Sequence, residues 1–215
     1  MRNYYHQQLS QLNEELIRMG AACEEIIGLA AQALTNHSRS LEEKTQQVGA
    51  AIDESECTIE TICLKLLLRQ QPVARDLRQI SAAMKMITDM ERIGDQAEDI
   101  VDLIPKMTRA AGEDGQMLTK MAQAAKNMVT EAVDAYVKQD LQLAGKVIGD
   151  DDIVDDYFNA VKTGIIQLIA QNPAEGEYAL DLLMIAKYFE RIGDHCTNIA
   201  EWVEFSLTGS HDIRE

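Results

Sequence analysis

Glu91, Asp95, Asp99 and Asp102 are spaced four, four and three residues apart, and Glu190, Asp194, Asn198 and Glu201 repeat that spacing ninety-nine positions later. On a helix turning about 100° per residue, each set falls within an arc of about 80°. Counting from the leading glutamate, the four positions lie at about 0°, 40°, 80° and 20°. Met90, Ile93, Ala97, Ile100 and Ile104 fall on the opposite side in the first copy, as do Phe189, Ile192, Cys196, Ile199 and Val203 in the second. Each set is thus an oxygen-rich ridge backed by an apolar stripe. A solvated acidic face would explain one such ridge. Two copies are harder to explain that way, because like charges at i,i+4 cost a few tenths of a kcal/mol per pair. A bound cation would turn that repulsion into binding energy. Carboxylate oxygens and an Asn carbonyl are hard donors, suited to magnesium, manganese, calcium or ferric iron.

One helix face cannot surround an ion, so a neighbouring helix must add ligands. Asp53 stands after Ile52 as Asp155 stands after Val154, each about 100° from the centre of its own apolar face. Asp151 lies one turn before Asp155, whereas Gly49 holds the corresponding place in the first copy. Asp53, Asp151 and Asp155 complete the candidate ligand set, and the second copy has the fuller one. His195 falls at about 140°, off the ridge, and reads as a helix-flank residue. No Glu-x-x-His occurs, which argues against a buried di-iron site of the ferritin type. No nucleophile with an evident base and no glycine-rich phosphate loop is present, so no catalytic residues are assigned. A metal-dependent hydrolase would use these same carboxylates to activate water.

Helices must position the ridges. Apolar residues recur at three- and four-residue spacing almost throughout, and the periodicity predicts six helices, over about 4–37, 40–71, 72–104, 116–138, 140–171 and 173–207. Ser40 to Glu43 fits a capping box for the second. The identity of Glu91-Arg92-Ile93-Gly94-Asp95 with Glu190-Arg191-Ile192-Gly193-Asp194 marks a tandem duplication. Residues 108–115, with two glycines and two acids, read as the linker. The expected fold is all-α: two tandem antiparallel three-helix bundles over residues 1–108 and 109–215.

Charge narrows the partners. The chain carries a net −16, and both halves are acidic, with 11 Lys and Arg against 17 Asp and Glu up to residue 108 and 9 against 19 beyond it. Nucleic acid and anionic lipid would be repelled. No apolar run follows Arg2 and no stretch approaches the length of a membrane span, so neither secretion nor membrane insertion is expected. Cys23, Cys57, Cys63 and Cys196 form no Cys-x-x-Cys pair and read as reduced cysteines of a cytoplasmic protein.

Taken together, Pro72-x-x-x-Asp76-Leu77-Arg78, the two Glu-Arg-Ile-Gly-Asp motifs and the run from Glu190 through His195 to Asn198-Ile199-Ala200-Glu201 resemble the PhoU family of phosphate-signalling regulators. The resemblance covers nearly the whole chain. It implies a cytoplasmic, non-enzymatic negative regulator linking a phosphate ABC transporter to a sensor histidine kinase, and a homodimer. It also implies metal bound at Glu91 with Asp95 and at Glu190 with Asp194. The expected cofactor is a divalent or trivalent ion: iron, zinc, manganese or magnesium. The alternatives are a metal-buffering helical protein and a relative of this family serving another transporter. Arg75 and Arg78, flanking Asp76, are candidates for partner contact.

Overall fold

The computed structural model describes residues 2–70, 73–112 and 115–210. Six helices run in order: α1 (Arg2–Ala33), α2 (Arg39–Gln70), α3 (Ala74–Leu103), α4 (Gly115–Lys138), α5 (Leu141–Gln171) and α6 (Gly176–Thr208). The fold is all-α, as the periodicity requires. Short 3-10 turns at Ile104–Lys106 and Pro173–Glu175 carry Pro105 and Pro173, whose rings end one helix and precede another. The expected start of the third helix at Pro72 lies outside the described residues.

Local chemistry explains the ends. α1 stops four residues before His37, where the Thr35 and Asn36 N–H groups both turn back onto Gln32 O (3.1 and 2.9 Å). The expected Ser40 capping box does not form, because the helix begins one residue earlier and Ser38 Oγ accepts from the Leu41 N–H (3.3 Å). Asp140 caps α5 by accepting from the Gln142 and Leu143 N–H groups (3.0 and 3.1 Å). Gly209, at φ 80°, ends α6 in the left-handed conformation that glycine adopts without strain.

Within each half, three helices pack up and down. α2 lies on α1 and α3, and α5 lies on α4 and α6. The most extensive helix–helix contact, however, joins the halves: α3 against α6, supported by α1 against α4. The cross-contacts fix its direction. Arg78 lies beside Gly209, Lys85 over the Trp202 ring (5.9 Å) and Asp89 against Asn198 (3.1 Å). The two helices therefore run antiparallel, and the register of these pairs puts Gly94 opposite Gly193. The two Glu-Arg-Ile-Gly-Asp copies cross at the midpoint of the α3–α6 pair. Buried side chains of both halves, including Met19, Ile26, Met90, Ile93, Met128, Phe189 and Ile192, form one continuous core.

The linker is tied to the second half. Arg109 pairs with Glu175 (2.9 Å) and stacks on the Tyr178 ring (3.7 Å), while the Tyr178 hydroxyl donates to Ala111 O (3.1 Å). Arg75 and Arg78 also have local structural roles. The Arg75 guanidinium donates to Gln139 Oε1 (2.7 Å) at the α4–α5 turn, and Arg78 lies against the α6 C-terminus, where a cation favours the exposed carbonyls.

Phe189 is wholly buried in the core beneath the α3–α6 pair. Phe189→Ala is expected to cost about 3–5 kcal/mol. Urea unfolding followed by circular dichroism measures it.

Candidate metal centre

The α3 wheel has three packed sides. Ile93, Ala97 and Ile100 face the core; Gly94 faces α2; the flank carrying Asp89 faces α6. A Cβ at Gly94 would lie 3.2 Å from Ile52 Cδ1, and one at Gly193 would lie 3.3 Å from Val154 Cγ1. The repeated glycine therefore lets α2 approach α3, and α5 approach α6, more closely than a side chain would allow. That approach brings acids on facing helices together.

In the second repeat, Asp151 and Asp155 of α5 meet Glu190 and Asp194 of α6. Burial, then the charges of Asp194, Asp155 and Glu190, lift the Asp151 carboxyl from its ordinary 3.8 to about 6. Partial desolvation followed by Glu190 raises Asp155, and the same two causes raise Asp194. In the first repeat, Asp53 of α2 shares a field with Glu91 and Asp95 of α3. Partial burial, then Asp95, pushes the Glu91 carboxyl up, with further contributions from Glu56 and Asp53.

Other sequence-derived ligands lie elsewhere. The Asn198 amide is spent across the seam, donating to Asp89 Oδ1, which His195 Nδ1 also contacts (2.9 Å). Asn198 thus joins the two repeats instead of completing an ion site, because its edge of the ridge points at α3. Asp99 occupies the same edge in the first copy. Its carboxyl is raised by desolvation, Asp95 and Asp102, and lowered by Arg191 across the seam. Asp102 and Glu201 share the ridge angle but stand seven residues beyond Asp95 and Asp194, about 10 Å further along the axis. They cannot reach the same ion. The sequence pattern leaves two acids unassigned. Glu56 and Glu98 both have raised carboxyls, Glu98 through desolvation and then Asp53 and Asp95. Glu98 lies two turns from Glu91 and almost in line with it on the wheel, so only the side on which α2 packs distinguishes it.

Cations on the same helices partly neutralise the sites. Lys187 pairs with Glu190, and Arg92 bridges Glu91 (3.4 Å) and Asp95 (3.1 Å). No three His, Cys, Asp or Glu side chains among the described residues converge in a chelating arrangement. The donor set still fits a hard cation. All the facing groups are carboxylates, their mutual field is unfavourable, and glycine leaves Asp151 room: a Cβ at Gly193 would lie 3.0 Å from Asp151 Oδ1.

Comparison with known proteins gives this arrangement a family. The PhoU domain model matches residues 16–104 and again 118–203, one match for each repeat. The chain belongs to the PhoU family. A phosphate-specific transport system accessory protein PhoU homolog of Clostridium acetobutylicum is 31% identical over 210 residues, covering 97% of this chain and 96% of the relative. A homolog of the same name from Synechocystis is 33% identical, over 98% and 94%. The crystal structure of PhoU from Pseudomonas aeruginosa superposes with a TM-score of 0.89 at 27% identity, covering 96% of this chain and all of that one. PhoU from Streptococcus pneumoniae shares the fold, with a TM-score of 0.87 at 24% identity.

The raised Asp151 carboxyl makes stability depend on pH. Because the folded group binds its proton more tightly than an unfolded one, its contribution favours folding below the ordinary value and is lost as pH rises through about 6. In chelator-treated protein the thermal midpoint should therefore fall between about pH 4 and about pH 6, and Asp151→Asn should flatten that fall. An equally steep profile in the variant would contradict the assignment. At the seam, Asp89→Ala strands His195 and Asn198 and should cost about 1–3 kcal/mol in urea unfolding.

Proposed function

We propose that this PhoU-family chain is a cytoplasmic, non-enzymatic negative regulator of phosphate uptake and phosphate-starvation signalling. In this reading it is a metal-binding adaptor between a phosphate ABC transporter and a sensor histidine kinase. The observation that carries the reading is family membership through both repeats, with relatives named as accessory proteins of the phosphate-specific transport system matched almost end to end. The site chemistry agrees: facing carboxylates without a nucleophile suit binding better than turnover. No described helix is long and apolar enough to cross a membrane, and the −16 charge disfavours anionic lipid. Membrane association would accordingly run through the transporter's own protein surface. Exposed apolar side chains such as Leu68, Ile166 and Leu180 offer area for such contacts or for a second copy of the chain.

Glu190, Asp194, Asp151 and Asp155 would hold an ion in the second repeat, and Asp53, Glu91 and Asp95 in the first. The ion would supply positive charge that relieves the repulsion between facing helices. The protein's own part is positional. Gly94 and Gly193 set the helix spacing, while Lys187 and Arg92 hold the acids in the metal-free state.

Elemental analysis and a starvation-gene reporter test both halves of the reading. The wild type should carry metal and repress the reporter in phosphate-rich medium. A fourfold Ala variant at Glu91, Asp95, Glu190 and Asp194 should lose the metal and at least part of the repression. Full repression without metal would separate regulation from metal binding. A gene-deletion strain that stays fully repressed would refute the regulatory role.

A further inference from the structure

The two repeats end their α2–α3 and α5–α6 hairpins with opposite charge. Residues 61–88 hold five Lys and Arg (Lys65, Arg69, Arg75, Arg78 and Lys85) against the single acid Asp76, a local net of +4 in a chain of net −16. The equivalent residues 163–187 hold Lys187 against Glu175, Glu177 and Asp181. Because α3 and α6 run antiparallel, these two ends lie at opposite poles of the molecule. The positive end is uncompensated. Arg75 donates to the neutral Gln139 amide, Arg78 lies against the α6 C-terminus, and Lys85 lies over the Trp202 ring. Lys65 has no polar partner, and none of the four pairs with a carboxylate among the described residues, as Lys44, Lys138 and Lys187 do elsewhere. The same end exposes large apolar side chains: Leu68 is 85% and Val73 66% exposed, with Leu64 and Leu77 also in solvent. Continuing the antiparallel register of Ile52 with Gly94 and Glu56 with Thr88 brings Leu68 level with Leu77, and Leu64 stands one turn behind Leu68. Core packing uses none of these four leucines and valines, and a contiguous exposed apolar patch marks a contact surface.

We infer that this end of the α2–α3 hairpin, through Leu64, Leu68, Val73 and Leu77 with Lys65 and Arg75 beside them, docks on an acidic, partly apolar protein surface of the transporter. Charge complementarity selects that occupant. Fields between exposed groups fade within about 8–10 Å at physiological ionic strength. The carboxylate ridge begins at Glu91, fourteen residues or about 21 Å along α3 from Leu77, so a bounded acidic patch meets the cations of the end and not the ridge. An anionic bilayer is not bounded: it would also face Glu60, exposed one turn behind Leu64. A second copy of the chain has a complementary acidic end at Glu177 and Asp181, but at the opposite pole, so that pairing would propagate as an open head-to-tail chain. The leucines would supply the buried centre of the contact and the cations its rim, which sets encounter rate and salt dependence.

The inference rests on the adaptor reading above, and the experiment separates the two. Full-length protein is co-sedimented with inside-out membrane vesicles carrying the phosphate transporter, with vesicles from a transporter-deletion strain, and with phosphatidylglycerol liposomes. The variants are L68S, K65E, K65E/R75E and, at the opposite pole, E177K/D181K, each checked for an unchanged thermal midpoint. K65E removes no contact within the fold, so it carries the charge test even where R75E loses its bond to Gln139. The wild type should bind only the transporter vesicles, and more weakly as salt rises. K65E/R75E should weaken binding at least tenfold, K65E should weaken it less, and both should flatten the salt dependence. L68S should weaken binding with the salt dependence intact, and E177K/D181K should leave it unchanged. No binding of the wild type to transporter vesicles would overturn the adaptor reading together with this one. Equal binding by the wild type, L68S and K65E would overturn the docking surface alone. So would wild-type binding to liposomes or transporter-free vesicles that L68S abolishes, or self-association in sedimentation equilibrium that L68S and E177K/D181K both abolish.

Discussion

Everything at the centre of this molecule depends on how closely neighbouring helices approach at two glycines. Gly94 and Gly193 sit where α3 and α6 meet α2 and α5, with Ile52 and Val154 within 3.3 Å of where a side chain would begin. Interiors packed to crystal density have no slack at that range. A larger residue would push the outer helices away, and the acids they carry would separate. The motif glycine is therefore a spacing device, and the flanking glutamate and aspartate derive their proximity to α2 and α5 from it.

Proximity sets the electrostatics. Partial burial raises the Asp151, Asp155, Asp194, Glu91 and Glu98 carboxyls first, and repulsion between the facing carboxylates raises them further. Lys187 and Arg92 relieve part of it from within the same helix. Exposed pairs of this kind contribute little on their own, so the unfavourable field persists. The fold keeps it because the apolar faces opposite are fully buried; the core stabilises what the ridge destabilises. The seam handles charge differently. There Asp89 is matched by His195 and Asn198, and Asp99 by Arg191, so the halves are joined by complementary groups while each half's outer gap remains acidic.

Much of this is legible from residue order alone. The six helices follow from three- and four-residue apolar spacing, and their ends shift by a few residues where a local bond competes, as Ser38 does with Ser40. The backing of the ridge by core residues also follows, because both depend only on the turn of one helix. The places of Asn198 and Glu98 are not legible, for a single reason. A wheel defines an arc but not which neighbour occupies each side of it. Asn198, on one edge of the arc, has the angle of a ridge residue and belongs to the seam. Glu98, just beyond the other edge, has a marginal angle and belongs to the gap facing α2. Axial distance also removes Asp102 and Glu201, which a wheel collapses onto Asp95 and Asp194.

The sequence by itself determined the duplication, the all-α class, the acidic character and the pairing of glutamate with aspartate one turn apart. Those are properties of composition and of helical repeat, and they need no knowledge of what packs where. Only the tertiary structure decided that the halves share one core, that α3 and α6 cross antiparallel at the repeated motif, and that Glu98 lies over Gly49. Each of those depends on contacts between residues far apart in the chain, whose geometry is set by side-chain volume at the crossing points and leaves no periodic signal along the sequence.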